Sequence, residues 1–219
     1  MDAVAGTFSI VAADPAAGEV GCAVQSKYFA IGAVTPWVRA GVGAVATQAM
    51  GVVAANGQLV LEALAAGMEP AVAIERVLAH DNGRETRQLG AVTADGRAAA
   101  FTGAECVEWA GQITGEGFAV QGNMLVGREV VESMAAAFVQ RPGQLVDRLL
   151  AVLEAGQAAG GDRRGQQAAA LVVERAGGAA GSREGIDRIC DLRVDDHPEP
   201  IVELRRLVTV WHEWHESRG

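Results

Sequence analysis

The residues best suited to covalent chemistry in this chain are Thr7 and Lys27. Two short apolar runs, residues 7–13 and 20–26, are separated by a turn over residues 14–19 that contains proline and glycine. If the two runs pair as a β-hairpin, the second run returns to Thr7 and brings Lys27 within side-chain reach. A threonine hydroxyl beside a basic group is a recognised catalytic nucleophile, so this pair indicates a hydrolase.

Two registers of the hairpin satisfy this pattern. Pairing Ala13 with Val20 places Thr7 opposite Ser26, which makes Ser26 a candidate binding residue. A shift of one residue places Thr7 opposite Lys27 instead, and the sequence leaves both registers open. Lys27 is the only lysine among the 18 cationic residues. In the competing interpretation, Thr7 is an ordinary strand residue and Lys27 is a surface charge.

A threonine hydroxyl needs a base, and a free α-amine on the same residue can supply it because that amine titrates near pH ~8. This chemistry requires Thr7 to be the first residue of the active form. Gly6 places no side chain beside its own carbonyl, so the Thr7 hydroxyl can attack that carbonyl. We therefore predict that residues 1–6 are an extension removed by self-cleavage of the Gly6–Thr7 bond.

Composition limits the class of protein and its partners. The formal net charge of −9 argues against nucleic acid or an anionic membrane surface as a partner. With 219 residues, half of them hydrophobic, we expect a single domain over residues 1–219. Three cysteines without a CxxC spacing indicate buried free thiols, and residues 1–6 lack the features of a signal peptide, so we expect a cytoplasmic protein.

Strand-like and helical patterns come in blocks along the chain. Strand-like runs lie at residues 7–13, 20–26 and 41–50, then at 88–93, 97–102, 107–113 and 118–121, and last at 168–174 and 189–194. Helical spacing covers residues 58–66, 70–80 and 127–156. A Gly-rich loop over residues 176–185 interrupts the last strand block, and a final helix is predicted to start at Asp196-His197-Pro198. Blocks rather than strict alternation favour an α+β fold with two mainly antiparallel sheets, flanked by helices in four αββα layers.

The chain resembles the bacterial family catalogued as domain of unknown function 1028. The resemblance extends over nearly the whole chain, and six motifs occur in one order. The motifs are TFSIVAADP (7–15), SKYFAIGAVTPWVRAGVGAVATQA (26–49), AAFTGAECVEWAG (99–111), VQGNML (120–125), AAGGDRRGQQAAAL (158–171) and DLRVDDHPEPIVELRRL (191–207). Members of that family typically begin Met-Thr-Phe-Ser, whereas this chain carries five further residues between Met1 and Thr7.

The resemblance implies membership of the N-terminal nucleophile (Ntn) hydrolase superfamily, which includes the proteasome β subunits. It implies an αββα sandwich and hydrolysis of an amide bond in a small or peptide-like substrate, without a metal or a cofactor. Thr7 is then the nucleophile, Lys27 its basic neighbour and Asp162 a supporting acid. The alternative from another class is a non-catalytic binding or scaffold protein that keeps this fold.

Four further residues are candidates for the same site. Asn123 follows a predicted strand and can donate to an oxyanion, or it can simply cap the next helix. Gln48 ends a strand of small residues, where its amide can bind substrate or be satisfied within the core. Arg163 or Arg164 can hold an acidic group of the substrate in a bidentate fork, although loop arginines are often solvated.

Other motifs have weaker functional interpretations. His197, His212 and His215 allow a metal-dependent hydrolase, but the last two fit better on an interaction helix with Trp211 and Trp214 that could form a homodimer. Residues 41–46 match the letters of a dinucleotide fingerprint but lack the strand, turn and helix around them that phosphate binding requires.

Overall fold

The computed structural model describes residues 6–50, 53–178 and 186–217, and within these ranges the chain forms ten strands and five α-helices. The strands are β1 (Thr7–Asp14), β2 (Glu19–Ser26), β3 (Pro36–Arg39), β4 (Gly43–Ala49), β5 (Arg87–Thr93), β6 (Ala98–Thr102), β7 (Gly111–Gly115), β8 (Phe118–Asn123), β9 (Ala168–Arg175) and β10 (Arg188–Val194). The helices are α1 (Ala54–Ala65), α2 (Pro70–Leu78), α3 (Glu129–Gln140), α4 (Leu145–Ala158) and α5 (Pro200–Glu216). None of the helices in the described ranges is long and apolar enough to span a bilayer.

The strands form two antiparallel sheets. The first sheet has six strands in the order β10-β9-β2-β1-β8-β7, and the second has four in the order β3-β4-β5-β6. Strands β1 and β8 of the first sheet contact β4 and β5 of the second, so the two sheets pack on each other. Helices α1 and α2 contact the second sheet, and α3, α4 and α5 contact the first. The predicted α+β class with antiparallel sheets is therefore confirmed.

The residues of strand β1 alternate between the face of the first sheet that packs on the helices and the face that packs on the second sheet. Successive side chains of a strand point to opposite sides of the sheet. Phe8 and Ile10 therefore pack into the hydrophobic cluster beneath the helices of the first sheet. Thr7 and Val11 have the opposite parity, and Val11 belongs to the cluster between the two sheets. The face that carries Thr7 is thus the face turned toward the second sheet.

The hairpin predicted from the sequence is present, and its register is the first of the two alternatives. Ala13 pairs with Val20, which places Thr7 opposite Ser26. Strand β1 also pairs with β8 on its other side, where Thr7 lies opposite Asn123. Lys27 lies just beyond the end of β2, so it has no direct partner in this ladder.

Several element boundaries differ from those expected. Strand β3 contains Pro36 and was missed; it begins at the proline, where the absent N–H does not interrupt a ladder. Helix α5 begins at Pro200 rather than at Asp196, because Pro200 occupies the first turn. Residues 107–110, expected to start a strand, precede β7 as loop. The Gly-rich loop of residues 176–185 lies largely outside the described residues.

Three buried thiols fit the expectation from the cysteine spacing. Cys22, Cys106 and Cys190 are all free and buried. Burial raises the pKa of Cys106 to about 11 and that of Cys190 to about 12. Burial also raises the pKa of Cys22, which lies in the core between the sheets. Protonated thiols are poor nucleophiles, so none of the three is suited to attack a carbonyl at neutral pH.

An ion pair between Asp81 and Arg87 fastens the chain segment that follows β4. Arg87 Nε donates to Asp81 Oδ2 at 2.8 Å, and Arg87 Nη1 donates to the Met50 carbonyl at 2.7 Å. Asn56 and Gly83 also donate to the Asp81 carboxylate. The bond from Arg87 is the largest cause that lowers the pKa of Asp81, to about 2. Folding therefore favours the ionised form of Asp81.

We expect Asp81→Asn to lower the free energy of unfolding by about 1–2 kcal/mol at pH 7, because a charged hydrogen bond is lost. The folded pKa lies below the unfolded value of 3.8, so the contribution is complete above that value and is lost as pH falls toward about 2. Urea unfolding at pH 7 and pH 3 measures this, with the difference between wild type and variant falling by about half. The control is Glu75→Gln, which removes an exposed ion pair with Arg84 and should leave the free energy of unfolding nearly unchanged at both pH values.

Candidate active site

The hydroxyl of Thr7 lies in a buried chain of hydrogen bonds at the start of β1. Thr7 is 1 % exposed and Ser26 is fully buried. Thr7 Oγ1 donates to Ser26 Oγ at 3.1 Å, and Ser26 Oγ donates to the carbonyl oxygen of Gly6 at 2.5 Å. Thr7 and Ser26 are register partners in the hairpin ladder, and Gly6 directly precedes it. The hydroxyl is thus linked through Ser26 to the carbonyl of the peptide bond that precedes it.

A second donor reaches the same carbonyl from the loop before β9. Arg164 Nη2 donates to the Gly6 oxygen at 2.9 Å. A carbonyl oxygen that accepts from a hydroxyl and a guanidinium is polarised toward negative charge. This is the arrangement that stabilises an oxygen after a nucleophile has added to its carbon. Two side-chain donors therefore converge on the carbonyl of Gly6, the residue directly before Thr7.

Asp162 holds that arginine in place. Its carboxylate accepts from Arg164 Nη2 at 2.7 Å, from Arg164 Nε at 3.1 Å and from the Arg164 backbone N–H at 2.9 Å. The Lys27 backbone N–H also donates to it, at 3.2 Å. The Asp162 side chain is fully buried, whereas that of Arg164 is 25 % exposed. A carboxylate with this many donors is satisfied despite burial, and it orients the guanidinium toward Gly6.

The ammonium group of Lys27 points elsewhere. Lys27 is exposed, and its Nζ donates to the carbonyl of Gln166 at 3.0 Å. Lys27 lies beyond the end of β2, and its ammonium contacts the loop before β9. The neighbour of the Thr7 hydroxyl is therefore Ser26, and the link from Lys27 to the site runs through its backbone N–H. The catalytic role predicted for the Lys27 side chain stays a prediction.

The two loop arginines differ in position. Arg164 is half-buried in the site, as described above, whereas Arg163 is exposed. The Arg163 backbone N–H donates to the Met124 carbonyl at 3.0 Å, which joins this loop to the end of β8. Asp162 pairs with Leu125 in an isolated antiparallel bridge that reinforces the same junction. Of the two candidates for binding an acidic group, only Arg164 is brought to Thr7.

Beneath Thr7, side-chain amides connect the two sheets. Gln88 of β5 is fully buried, and its Oε1 accepts from Gln48 Nε2 at 2.8 Å and from Asn123 Nδ2 at 2.9 Å. Its Nε2 donates to the Gly122 carbonyl at 2.8 Å. Gln48 Nε2 also lies 3.5 Å from the Thr7 carbonyl. The predicted residues Gln48 and Asn123 therefore join the site through Gln88, which the sequence did not single out.

Ser9 and Gln121 extend this amide layer along β1 and β8. Ser9 Oγ donates to Gln48 Oε1 and accepts from Gln121 Nε2, both at 2.6 Å. Gly90 makes room for the layer, because a Cβ there would lie 2.1 Å from Gln121 Oε1. In the sequence, this layer is indicated by Ser9, a polar residue within an apolar strand at a position that faces the second sheet.

A separate cleft of about 530 Å³ opens beside β7 and α3. Trp109, Gln112 and Ile113 line one side of it, and Arg128 and Glu132 line the other. Thr7 does not contribute to its lining. The cleft lies near the edge strand of the first sheet rather than over the nucleophile candidate.

The other motifs are explained by packing. His212 Nε2 contacts Asp147 Oδ1 at 2.9 Å, which joins α5 to α4. Within residues 6–50, 53–178 and 186–217, no three His, Cys, Asp or Glu side chains converge in a group able to hold a metal ion. Gly43 begins β4, and a Cβ there would lie 2.1 Å from the Val92 carbonyl, so close strand packing requires this glycine.

Fold and site together define a class: a mixed α+β protein of two antiparallel sheets with a buried threonine next to a peptide carbonyl that accepts two side-chain hydrogen bonds. The model of a family of unknown function, DUF1028, matches residues 7–204, and the chain belongs to that family. The match begins at Thr7 itself.

The fold is also found in a solved structure. The crystal structure of protein SPO2555 from Silicibacter pomeroyi, described as DUF1028, superposes with a TM-score of 0.85 at 33% sequence identity. The alignment covers 95% of this chain and 89% of that one. No protein of curated function matches the chain.

We expect Gln88→Met to lower the free energy of unfolding by about 2–3 kcal/mol, because the donors of Gln48 and Asn123 and the Gly122 carbonyl lose a buried partner. Chemical denaturation followed by circular dichroism measures this loss. The matched control is Gln58→Met on the exposed face of α1, where the glutamine amide donates to Glu62; it should cost less than about 1 kcal/mol. Equal losses of unfolding free energy in the two variants would show that the amide layer contributes no more to stability than an exposed glutamine.

Proposed function

We propose that this protein is an N-terminal nucleophile hydrolase that cleaves its own Gly6–Thr7 bond and then hydrolyses an amide bond in a small or peptide-like substrate. We further propose that its two sheets and outer helices are the αββα sandwich of that superfamily. The observation that carries the proposal is the double hydrogen bond to the Gly6 carbonyl from Ser26 and Arg164, next to the Thr7 hydroxyl.

Self-cleavage begins with addition of Thr7 Oγ1 to the Gly6 carbonyl carbon. The Thr7 proton passes to Ser26 Oγ, and the proton of Ser26 passes to the Gly6 oxygen, along the hydrogen bonds already present. Arg164 stabilises the partial negative charge on that oxygen in the transition state, before the proton from Ser26 is fully transferred. The C–N bond then breaks, the Thr7 nitrogen takes the hydroxyl proton and the carbonyl reforms as an ester. Water hydrolyses the ester, which leaves a carboxylate on Gly6 and a free amine on Thr7.

Turnover of a substrate repeats this chemistry with the new amine as base. The α-amine of Thr7 accepts the hydroxyl proton as Oγ1 attacks the substrate carbonyl, and it passes that proton to the leaving amine. Ser26 and Arg164 then hold the substrate oxygen as they held that of Gly6. Water hydrolyses the acyl ester and restores the threonine.

The remaining residues support this geometry. Asp162 orients Arg164 through its fixed carboxylate. Asn123 lies opposite Thr7 on β8, and its amide orientation is set by Gln88. It is the candidate for a further donor to the leaving group or the oxyanion. Lys27 contributes a positive charge at the rim and a backbone donor to Asp162.

The test is the rate of self-cleavage after cell-free synthesis, followed by intact mass spectrometry. We expect Ser26→Ala to cleave about 10²–10³-fold more slowly than wild type, the usual cost of removing one oxyanion donor. Lys27→Met should stay within about tenfold of wild type, because its ammonium contacts Gln166 rather than Thr7. Thr7→Ala should not cleave at all.

Circular dichroism of the same variants shows whether each one folds. A folded Ser26→Ala variant that cleaves as fast as wild type would remove Ser26 from the mechanism. A folded Lys27→Met variant that fails to cleave would return the lysine to the central role that the sequence suggested.

A further inference from the structure

The surroundings of Gly6 leave no room for a side chain. A Cβ added to Gly6 would lie 2.7 Å from Met124 Cβ, 2.8 Å from Asp162 Oδ1 and 2.9 Å from Asp162 Cγ. Heavy atoms in ordinary contact are about 3.5–4.0 Å apart, so all three distances are too short. Gly6 is also buried, and it has no positive φ that would by itself require glycine. The restriction on this residue is therefore steric.

Neither neighbour can easily move away. The atom of Met124 that an added side chain would meet is its Cβ, which can move only with the backbone. That backbone is held by hydrogen bonds at both its N–H and its carbonyl. Its N–H donates to the Val107 carbonyl at 2.9 Å, and its carbonyl accepts from the Arg163 N–H at 3.0 Å. The Asp162 carboxylate is held by the donors of Arg164 and by the Lys27 N–H. Moving Asp162 would also displace the arginine that polarises the Gly6 carbonyl.

We propose that Met124 and Asp162 form a specificity filter that limits the enzyme to acyl groups without an L side chain next to the scissile carbonyl. Glycyl amides and unbranched acyl amides are the substrates that fit. The inference rests on the proposed function, because it assumes that the Gly6 carbonyl occupies the place of the substrate carbonyl.

Chemistry supports that assumption. In self-cleavage the Gly6 acyl group becomes an ester on Thr7 Oγ1, and in turnover the substrate acyl group becomes an ester on the same atom. Both carbonyl oxygens meet the same donors, Ser26 Oγ and Arg164 Nη2. The α-carbon of the substrate acyl group, which is bonded to the carbonyl carbon, is then directed to the place of the Gly6 α-carbon, against Met124 and Asp162.

The first test compares self-cleavage of Gly6→Ala with that of wild type after cell-free synthesis. We expect the variant to cleave at least about tenfold more slowly, the usual effect of one methyl group that a pocket cannot accommodate. Thermal unfolding of Gly6→Ala in a Thr7→Ala background, against Thr7→Ala alone, shows separately whether the methyl group disturbs the fold. A folded Gly6→Ala variant that cleaves at the wild-type rate would overturn the filter.

The second test does not depend on how Gly6→Ala folds. Mature wild-type protein is treated with the 4-nitrophenyl esters of N-acetylglycine and N-acetyl-L-alanine, and acylation of the proteolytic peptide that begins at Thr7 is followed by mass spectrometry. Attack by Thr7 Oγ1 forms the new ester and releases 4-nitrophenolate, while the Thr7 amine takes the proton. We expect the glycyl ester to acylate Thr7 at least about tenfold faster. Equal rates, or faster acylation by the alanyl ester, would overturn the proposal.

These experiments distinguish failure of the proposed hydrolase function from failure of the specificity filter. Wild-type protein that keeps residues 1–6 would contradict the proposed function, and the filter would lose its basis with it. Wild-type protein that releases Thr7 but does not distinguish glycine from alanine would contradict the filter alone.

Discussion

The register of β1 between β2 and β8 is the constraint on which the rest of the site depends. It places Thr7 opposite Ser26 on one side and opposite Asn123 on the other. A shift of one residue would turn Thr7 toward the helices and Phe8 toward the second sheet, because strand side chains alternate. The alternating burial of Phe8, Ile10 and Val11 in separate clusters opposes such a shift. Hydrophobic packing thus fixes the position of a polar hydroxyl.

The loop before β9 completes the site from outside this ladder. Asp162 is a buried carboxylate, which would be costly if it lacked partners. It is satisfied by Arg164 and by the backbone N–H of Lys27, and so it is both stable and rigid. The same interaction directs Arg164 to the Gly6 carbonyl. One ion pair therefore both satisfies the buried carboxylate and places the donor that contacts the Gly6 carbonyl.

The amide layer of Gln48, Gln88 and Asn123 connects the strands beside Thr7 to the second sheet. Each of these side chains is buried, so its hydrogen bonds must be made within the protein. Water between the sheets would weaken the orientation of the layer, and apolar residues would leave the Gly122 carbonyl without a partner. The layer therefore holds the side chains beneath the site in one arrangement. A substitution at Thr7 or Asn123 would disturb the hydrogen bonds of this layer.

Local patterns predicted much of this arrangement. The hairpin that carries Thr7 and the blocks of strands and helices follow from turn residues and apolar spacing. The family resemblance directed attention to Asp162, and the position of Asn123 after a predicted strand made it a candidate. Contacts between residues far apart in the sequence could not be read in this way. Alternation of strand faces could have favoured Ser26 over Lys27 only after the register was known. Gln88 is 81 positions from Thr7, and its role depends on how two sheets meet.

The central claim is that this site cuts the bond between Gly6 and Thr7. N-terminal sequencing of the purified wild-type chain measures this most directly. The account predicts a single new sequence that begins Thr7-Phe8-Ser9. Folded protein that still begins at or before Gly6 after prolonged incubation would contradict it.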